Sequence, residues 1–215
     1  MPKIPKRQIR RDVRPALAKY AALVGEVTYA SNAMHATFFL LFQMLFDMRQ
    51  SDSVGAIWHS LRSDDLQRNV LKAAVEKSHK LRNRPKNAFI WAINKAGKLA
   101  EYRNAAIHTA FEYGPDGKGG FVIEPSDWAV EPRRLEKLLR LGHENLFKLL
   151  IGDFTALEEY ISHTSEAILG TDDPEPSEHV PLCRRPLLRS IRLEQQRPPP
   201  TRTRRRRSRQ RRPPQ

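Results

Sequence analysis

Between positions 17 and 48, apolar or small residues recur at 17, 20, 24, 27, 31, 34, 38, 41, 45 and 48, in alternating steps of three and four. That spacing puts them on one side of a helix turning about 100° per residue. It predicts an amphipathic helix about 48 Å long with a coiled-coil-like seam. Pro15 suits the first turn, where its missing N–H costs no bond. Met34, Phe38, Phe39, Phe42, Met44, Phe46 and Met48 widen the stripe toward its end. Such width belongs to a core or, at a surface, to a face on which two copies pair.

Shorter helical patterns follow. One spans 54–61. Ser63 has the character of an N-cap, with Asp64 and Asp65 in the first turn favoured by the helix dipole, and opens a helix through Leu66, Val70, Leu71 and Ala74 to about Ser78. A basic linker over 77–86 leads to Pro85, which opens a long helix through Phe89, Ile90, Ile93, Ala96 and Ala100 to Phe111. Gly114-Pro115-Asp116-Gly117-Lys118-Gly119-Gly120 breaks it. This is no phosphate loop, since Gly rather than Ser or Thr follows Lys118; a hairpin or loop with Phe121-Val122-Ile123 as a short strand fits better. Pro132 then opens a last helix whose stripe runs Leu135, Leu138, Leu139, Leu146, Leu149, Leu150, Leu157 and Ile161 to Leu169, with Gly170 as its stop.

Long helices joined by short connections predict an all-α fold, an antiparallel bundle of about four to five helices with a short hairpin before the last long one. The predicted organisation is a basic arm over 1–14, a helical body over 15–170, and an unpacked region over 171–215. That last region is an acidic, proline-containing linker followed by an Arg/Pro-rich tail from Arg184, with too few apolar residues to offset its ordering entropy.

Charge sharpens this division. Residues 181–215 hold 13 arginines and one acid, and residues 1–14 hold six basic residues and one acid, so of the net +14 the body over 15–180 keeps only −3. The pI of about 10.3 is a property of the ends. Polyanion contact is therefore expected at Arg204, Arg205, Arg206 and Arg207 of the tail, by counterion release, with Lys95 and Lys98 of the long central helix extending a positive groove. Cys183 has no partner cysteine, which excludes an internal disulfide and fits a reducing compartment. The most apolar run, 36–46, falls short of the ~20 residues a bilayer requires, and no signal-peptide core directly follows the basic start. A cytoplasmic protein without membrane contact is expected. The remaining histidines, among them His35, His59, His79 and His143, show no metal-ligand spacing, so no metal or cofactor is predicted. His35 beside the first seam reads as a core or interface histidine, and His59 next to Trp58 as a candidate cleft residue.

The chemistry concentrates near the end of the central helix. Asn104 and His108 are four residues apart and stack on one face, and Arg103, one step round, carries a side chain long enough to reach the same phosphate. An imidazole that titrates near neutrality, a permanent cation and an amide together suit phosphodiester cleavage without a metal. The segment Tyr102-Arg103-Asn104-Ala105-Ala106-Ile107-His108-Thr109 resembles the Arg-Asn-x-x-x-His signature of HEPN ribonucleases, helical proteins common in prokaryotic toxin and anti-phage systems. The run Ala56-Ile57-Trp58-His59-Ser60-Leu61-Arg62-Ser63-Asp64 also looks like a bacterial HEPN-like subgroup. The resemblance spans about residues 15–170 and is strongest over 101–111. It implies a metal-independent endoribonuclease in which His108 transfers protons, Arg103 stabilises charge on the phosphoryl oxygens and Asn104 orients the phosphate or the imidazole. It further implies RNA as substrate, a homodimer in which two motifs face one cleft, and an antitoxin or defence-complex partner. Two other readings of the chain stand beside it: Arg103 in an ion pair with His108 a satisfied helix histidine, and a non-catalytic bundle whose basic ends hold nucleic acid.

Overall fold

The long stripe folds as α1 (Lys6–Leu45), the spine of an all-α bundle. The computed structural model describes residues 6–46, 51–108, 111–115, 121–125, 142–169 and 182–195. Within these, α1 is followed by α2 (Ser51–Ser60), α3 (Asp64–Lys77), α4 (Asn83–Ile107), the strands β1 (Phe111–Pro115) and β2 (Phe121–Pro125), α5 (His143–Leu169) and a short α6 (Arg189–Gln195). The helix begins well before Pro15, so most of the expected basic arm is the first part of α1 and the proline lies inside it. A ring at that position forfeits one backbone bond, a loss α1 absorbs without ending.

α1 packs most extensively on α5, and α4 covers a second side of α5, while α3 bridges α4 and α1. The α5 stripe Leu146, Phe147, Leu150, Phe154, Leu157 and Ile161 is buried and meets Val27, Met34, Phe38, Leu41 and Phe42 of α1 in one continuous core. Complete burial of side chains this size contributes about 1.5–3 kcal/mol each, which is why the fold follows the seam. Met34, Phe38 and Phe42 are thus consumed inside the protomer. The pairing face expected on them is not available, because α2 and α5 already fill it; the Phe42 ring sits 5.2 Å from Trp58.

Ser63 caps α3, its hydroxyl accepting from the Leu66 N–H at 3.2 Å. Strands β1 and β2 form an antiparallel hairpin with Tyr113 opposite Ile123, and β2 lies against α1 with Ile123 buried. Gly142 has φ +70°, in the left-handed region that an α-helix of L-residues does not enter. A helix running unbroken from Pro132 to Leu169 is therefore excluded: α5 starts at His143, and residues 126–141 lie outside the described residues. At the amino-terminal end of α5, Lys19 and Lys148 both pair with Glu144, at 2.6 Å and 2.8 Å, and hold its carboxyl down at about 2.

The expectation of an unpacked tail from Arg184 does not hold over 182–192. Leu188 and Ile191 are buried in the main core, and Asp153, itself buried on α5, accepts from the N–H groups of Arg189 and Ser190 at 2.8 and 2.7 Å and from the Ser190 hydroxyl. A carboxylate out of water is stable only when its oxygens are satisfied, and here they cap a helix that two apolar anchors hold in place. Sparse apolar residues at 182, 188 and 191 sufficed because α4 and α5 supply the opposing surface. The 171–181 linker and residues 196–215 lie outside the described residues. Asp153→Ala is expected to lower stability by about 2–3 kcal/mol in urea unfolding, since charged hydrogen bonds are lost and two backbone donors are stranded. Limited proteolysis should then cut within 182–195 in the variant and spare it in the native chain.

Candidate functional site at the junction of α1, α3 and α4

Arg103 stands on the last two turns of α4 and reaches away from α5 into the angle between α1 and α3. Its Nη1 donates to the buried Ser31 hydroxyl of α1 at 3.1 Å, and its Nη2 to Asp64 Oδ2 at the start of α3 at 3.0 Å. Nε and Nη2 also donate to the neighbouring Asn104 Oδ1 at 3.2 and 3.0 Å. Among the described residues, four of the five guanidinium donors are therefore engaged, from three helices, and only 16% of the side chain remains exposed. Asp64 on the rim is 42% exposed.

Behind this pair lies His35, one turn after Ser31 on α1, with 12% of its side chain exposed. Its Nε2 is 3.6 Å from Asp64 Oδ2, beyond hydrogen-bonding distance, and neither ring nitrogen has a partner among the described residues. Burial pushes the imidazole below its ordinary range. The Arg68 and Arg103 cations add to that, and they and burial together outweigh the opposing pull of Asp64. His35 is held as a neutral ring, edge-on to Phe38 at 6.0 Å. Arg68, one turn after Asp64, is also buried; it pairs with Asp65 Oδ1 at 3.3 Å, and its Nη1 is unpartnered among the described residues. α4 passes close to it at Gly97, where a Cβ would meet Arg68 Nε at an ordinary contact distance of 3.8 Å.

The three motif residues divide. Asn104 and His108 are exposed, whereas Arg103 is held in the junction. His108 is the C-cap of α4, its N–H donating to the Asn104 carbonyl at 2.9 Å. Oδ1 of the exposed Asn104 is engaged by Arg103. Lys98 is exposed, and Lys95 is half-buried with its Nζ 6.0 Å from the centroid of the Trp91 ring. Arg204 to Arg207 lie outside the described residues. His59 is exposed, with its ring 5.3 Å from Phe39.

Ser31, His35, Asp64 and Arg68 are the site residues that sequence reasoning passed over. A signal was present in Ser31 and His35, two polar groups one turn apart at the edge of an apolar seam. Asp64 had been given to helix-start chemistry, a role compatible with its place in the first turn of α3. Among the described residues no group of three or more His, Cys, Asp or Glu is placed to hold a metal, and no helix is long and apolar enough to cross a membrane. Comparisons of the chain with family models, with curated proteins and with solved structures find no match.

Two measurements test this junction. A histidine whose folded pKa lies below its unfolded value binds fewer protons folded than unfolded, so stability is full above about 6.5 and is lost as pH falls below it. Thermal midpoints should decline through that window, and His35→Leu should flatten the decline. Asp64→Asn should cost about 1–2 kcal/mol in urea titration, a figure reduced from that of a fully buried pair because Asp64 is partly solvated.

Proposed function

We propose that the protein is a metal-independent endoribonuclease of HEPN type acting at the carboxyl-terminal end of α4. The observation that carries this reading is the arrangement around Arg103: a fixed cation in the junction, bonded to the exposed Asn104, with His108 exposed at the same helix end. A 2′-hydroxyl attacks the adjacent phosphate, the P–O5′ bond breaks, and His108 takes or gives the proton that crosses between the oxygens. The remaining Arg103 donor and the Asn104 amide nitrogen meet the phosphoryl oxygens. Because Asp64 and Ser31 hold the guanidinium in one orientation, little reorganisation is left for the moment of reaction. Asp64 is in this scheme a positioning residue. Two copies paired about the α4 ends supply one histidine as base and one as acid. A toxin or phage-defence setting, with RNA as substrate and a protein inhibitor as partner, belongs to the same proposal.

A second reading has its own observation. With four donors engaged by protein acceptors, Arg103 also serves as a pure fastener of three helices, and the protein is then a non-catalytic module. His108→Ala separates the two. The side chain is exposed at a helix end, so the substitution leaves the bundle folded, and full-length protein should lose about 10²–10⁴-fold in RNA cleavage with its thermal midpoint unchanged. Arg103→Ala is the less clean variant, since it strands Asp64 and Ser31 and lowers stability together with rate. EDTA should leave the rate unchanged. RNA left intact by the full-length chain across pH and substrate sequence, or cleaved equally well by His108→Ala, would sink the nuclease.

A further inference from the structure

α4 has a second functional side. Arg103 looks into α1 and α3, whereas Arg84, Asn87, Trp91 and Lys95 recur in steps of three and four on the side that meets α5 and the segment 182–192. Trp91 is half-buried, edge-on to Tyr160 of α5 at 5.3 Å, and two cations lie near its ring: Arg185 at 5.2 Å and Lys95 at 6.0 Å from the centroid. A cleft opens on each side of the Trp91–Arg185 pair. One, of about 470 Å³, is lined by Asn83, Arg84, Asn87 and Arg185; the other, of about 320 Å³, by Trp91, Lys95, Leu187 and Arg192.

We propose that these two clefts bind single-stranded nucleic acid, at a site separate from the α4 end that carries His108. Among the described residues four cations line the clefts and no acidic side chain does. Like charges gathered without a counter-charge repel one another, and a polyanion relieves that repulsion while releasing its own counterions. Arg185 is not needed to hold its segment down, because Leu188, Ile191 and the Asp153 cap already do so. Its exposed guanidinium, 5.2 Å from the centroid of the indole, offers a plane on which an unpaired base stacks, as aromatic and arginine planes do at single-strand sites. The exposed Asn83 and Asn87 amides add uncharged donors and acceptors for base edges or sugar. From Arg84 to Lys95 is eleven residues, about 16 Å of helix, the span of a few nucleotides.

Separation from His108 follows from the helix itself. Trp91 and His108 are seventeen residues apart, about 25 Å along the axis and roughly 100° around it. The segment that builds the clefts also leads directly into the richest basic run of the chain: residues 196–215 hold nine arginines and no acid. That run is covalently joined to α6, whose Ile191 and Arg192 line one cleft, and such linkage raises its effective concentration on any strand already seated there.

The test uses the full-length chain and fluorescein-labelled oligodeoxythymidylate, which lacks the 2′-hydroxyl and so reports binding whether or not the protein cleaves RNA. Anisotropy titrations over a series of salt concentrations should show the Arg185→Glu/Arg192→Glu double variant binding about tenfold or more weakly, with the log–log salt slope reduced by about 0.7 for each lost contact. Both side chains are exposed, so the variant should melt like the native protein. Trp91→Leu should weaken oligodeoxythymidylate about tenfold and leave a duplex of equal length nearly unchanged, because only unpaired bases stack. Ultraviolet cross-linking of the native complex should recover peptides containing Trp91 or Arg185. A double variant with unaltered affinity and slope, or cross-links confined to residues 196–215, would overturn the proposal and assign all binding to the arginine run.

Discussion

The junction depends on one guanidinium. Arg103 joins Ser31 of α1, Asp64 of α3 and Asn104 of its own helix, and without it the buried Ser31 hydroxyl and the Asp64 carboxylate lose that shared donor. A planar fork with five donors meets three acceptors in three directions, which an ammonium at that place does not reproduce. The arrangement is costly. His35 and Arg68 bring further polar atoms out of water, and three of those have no partner among the described residues. Polar groups kept in a bundle at such cost fix one geometry rather than raise stability, in line with the use of buried polar groups to set register.

That geometry gives the helix end its chemical possibilities. The neutral state imposed on His35 by burial keeps a third positive charge out of a junction that already holds Arg68 and Arg103 beside one rim carboxylate and Asp65. In the proposed mechanism reactivity is left to the exposed pair, Asn104 and His108, while the interior supplies rigidity. On the opposite side of α4 the logic reverses. There the interior contributions are apolar, from Tyr160, Leu188 and Ile191, and the cations are at the surface, open to a ligand. One helix thus serves as a scaffold for a fixed charge inward and a set of free charges outward.

Packing explains where the two basic ends of the chain part from the expectations raised by composition. Segment 182–192 has few apolar residues, and alone it does not bury enough to order itself. Against α4 and α5 it needs only Leu188, Ile191 and one cap from Asp153. The amino-terminal basic stretch likewise continues α1 through Pro15, since a helix already nucleated over thirty residues tolerates one missing bond. Composition measures what a segment can do by itself, and both ends are decided by what lies beside them.

The periodicities at 17–48 and 146–161, the Ser63 cap and the turn residues before Phe121 determined the helices, the hairpin and the all-α class, because these are local properties of spacing and side-chain chemistry. The motif at 103–108 was equally legible as a pattern. What it does not contain is the direction in which Arg103 points. A sequence marks an arginine as polar and turns it to solvent; on α3 the same rule exposes Arg68 and buries Leu66, whereas the folded chain buries Arg68 and leaves Leu66 exposed. For Arg103 the decision rests on Asp64 and Ser31, which arrive from 39 and 72 residues away. Charge pairing and free volume across helices are sums over distant residues, and only the tertiary structure evaluates them.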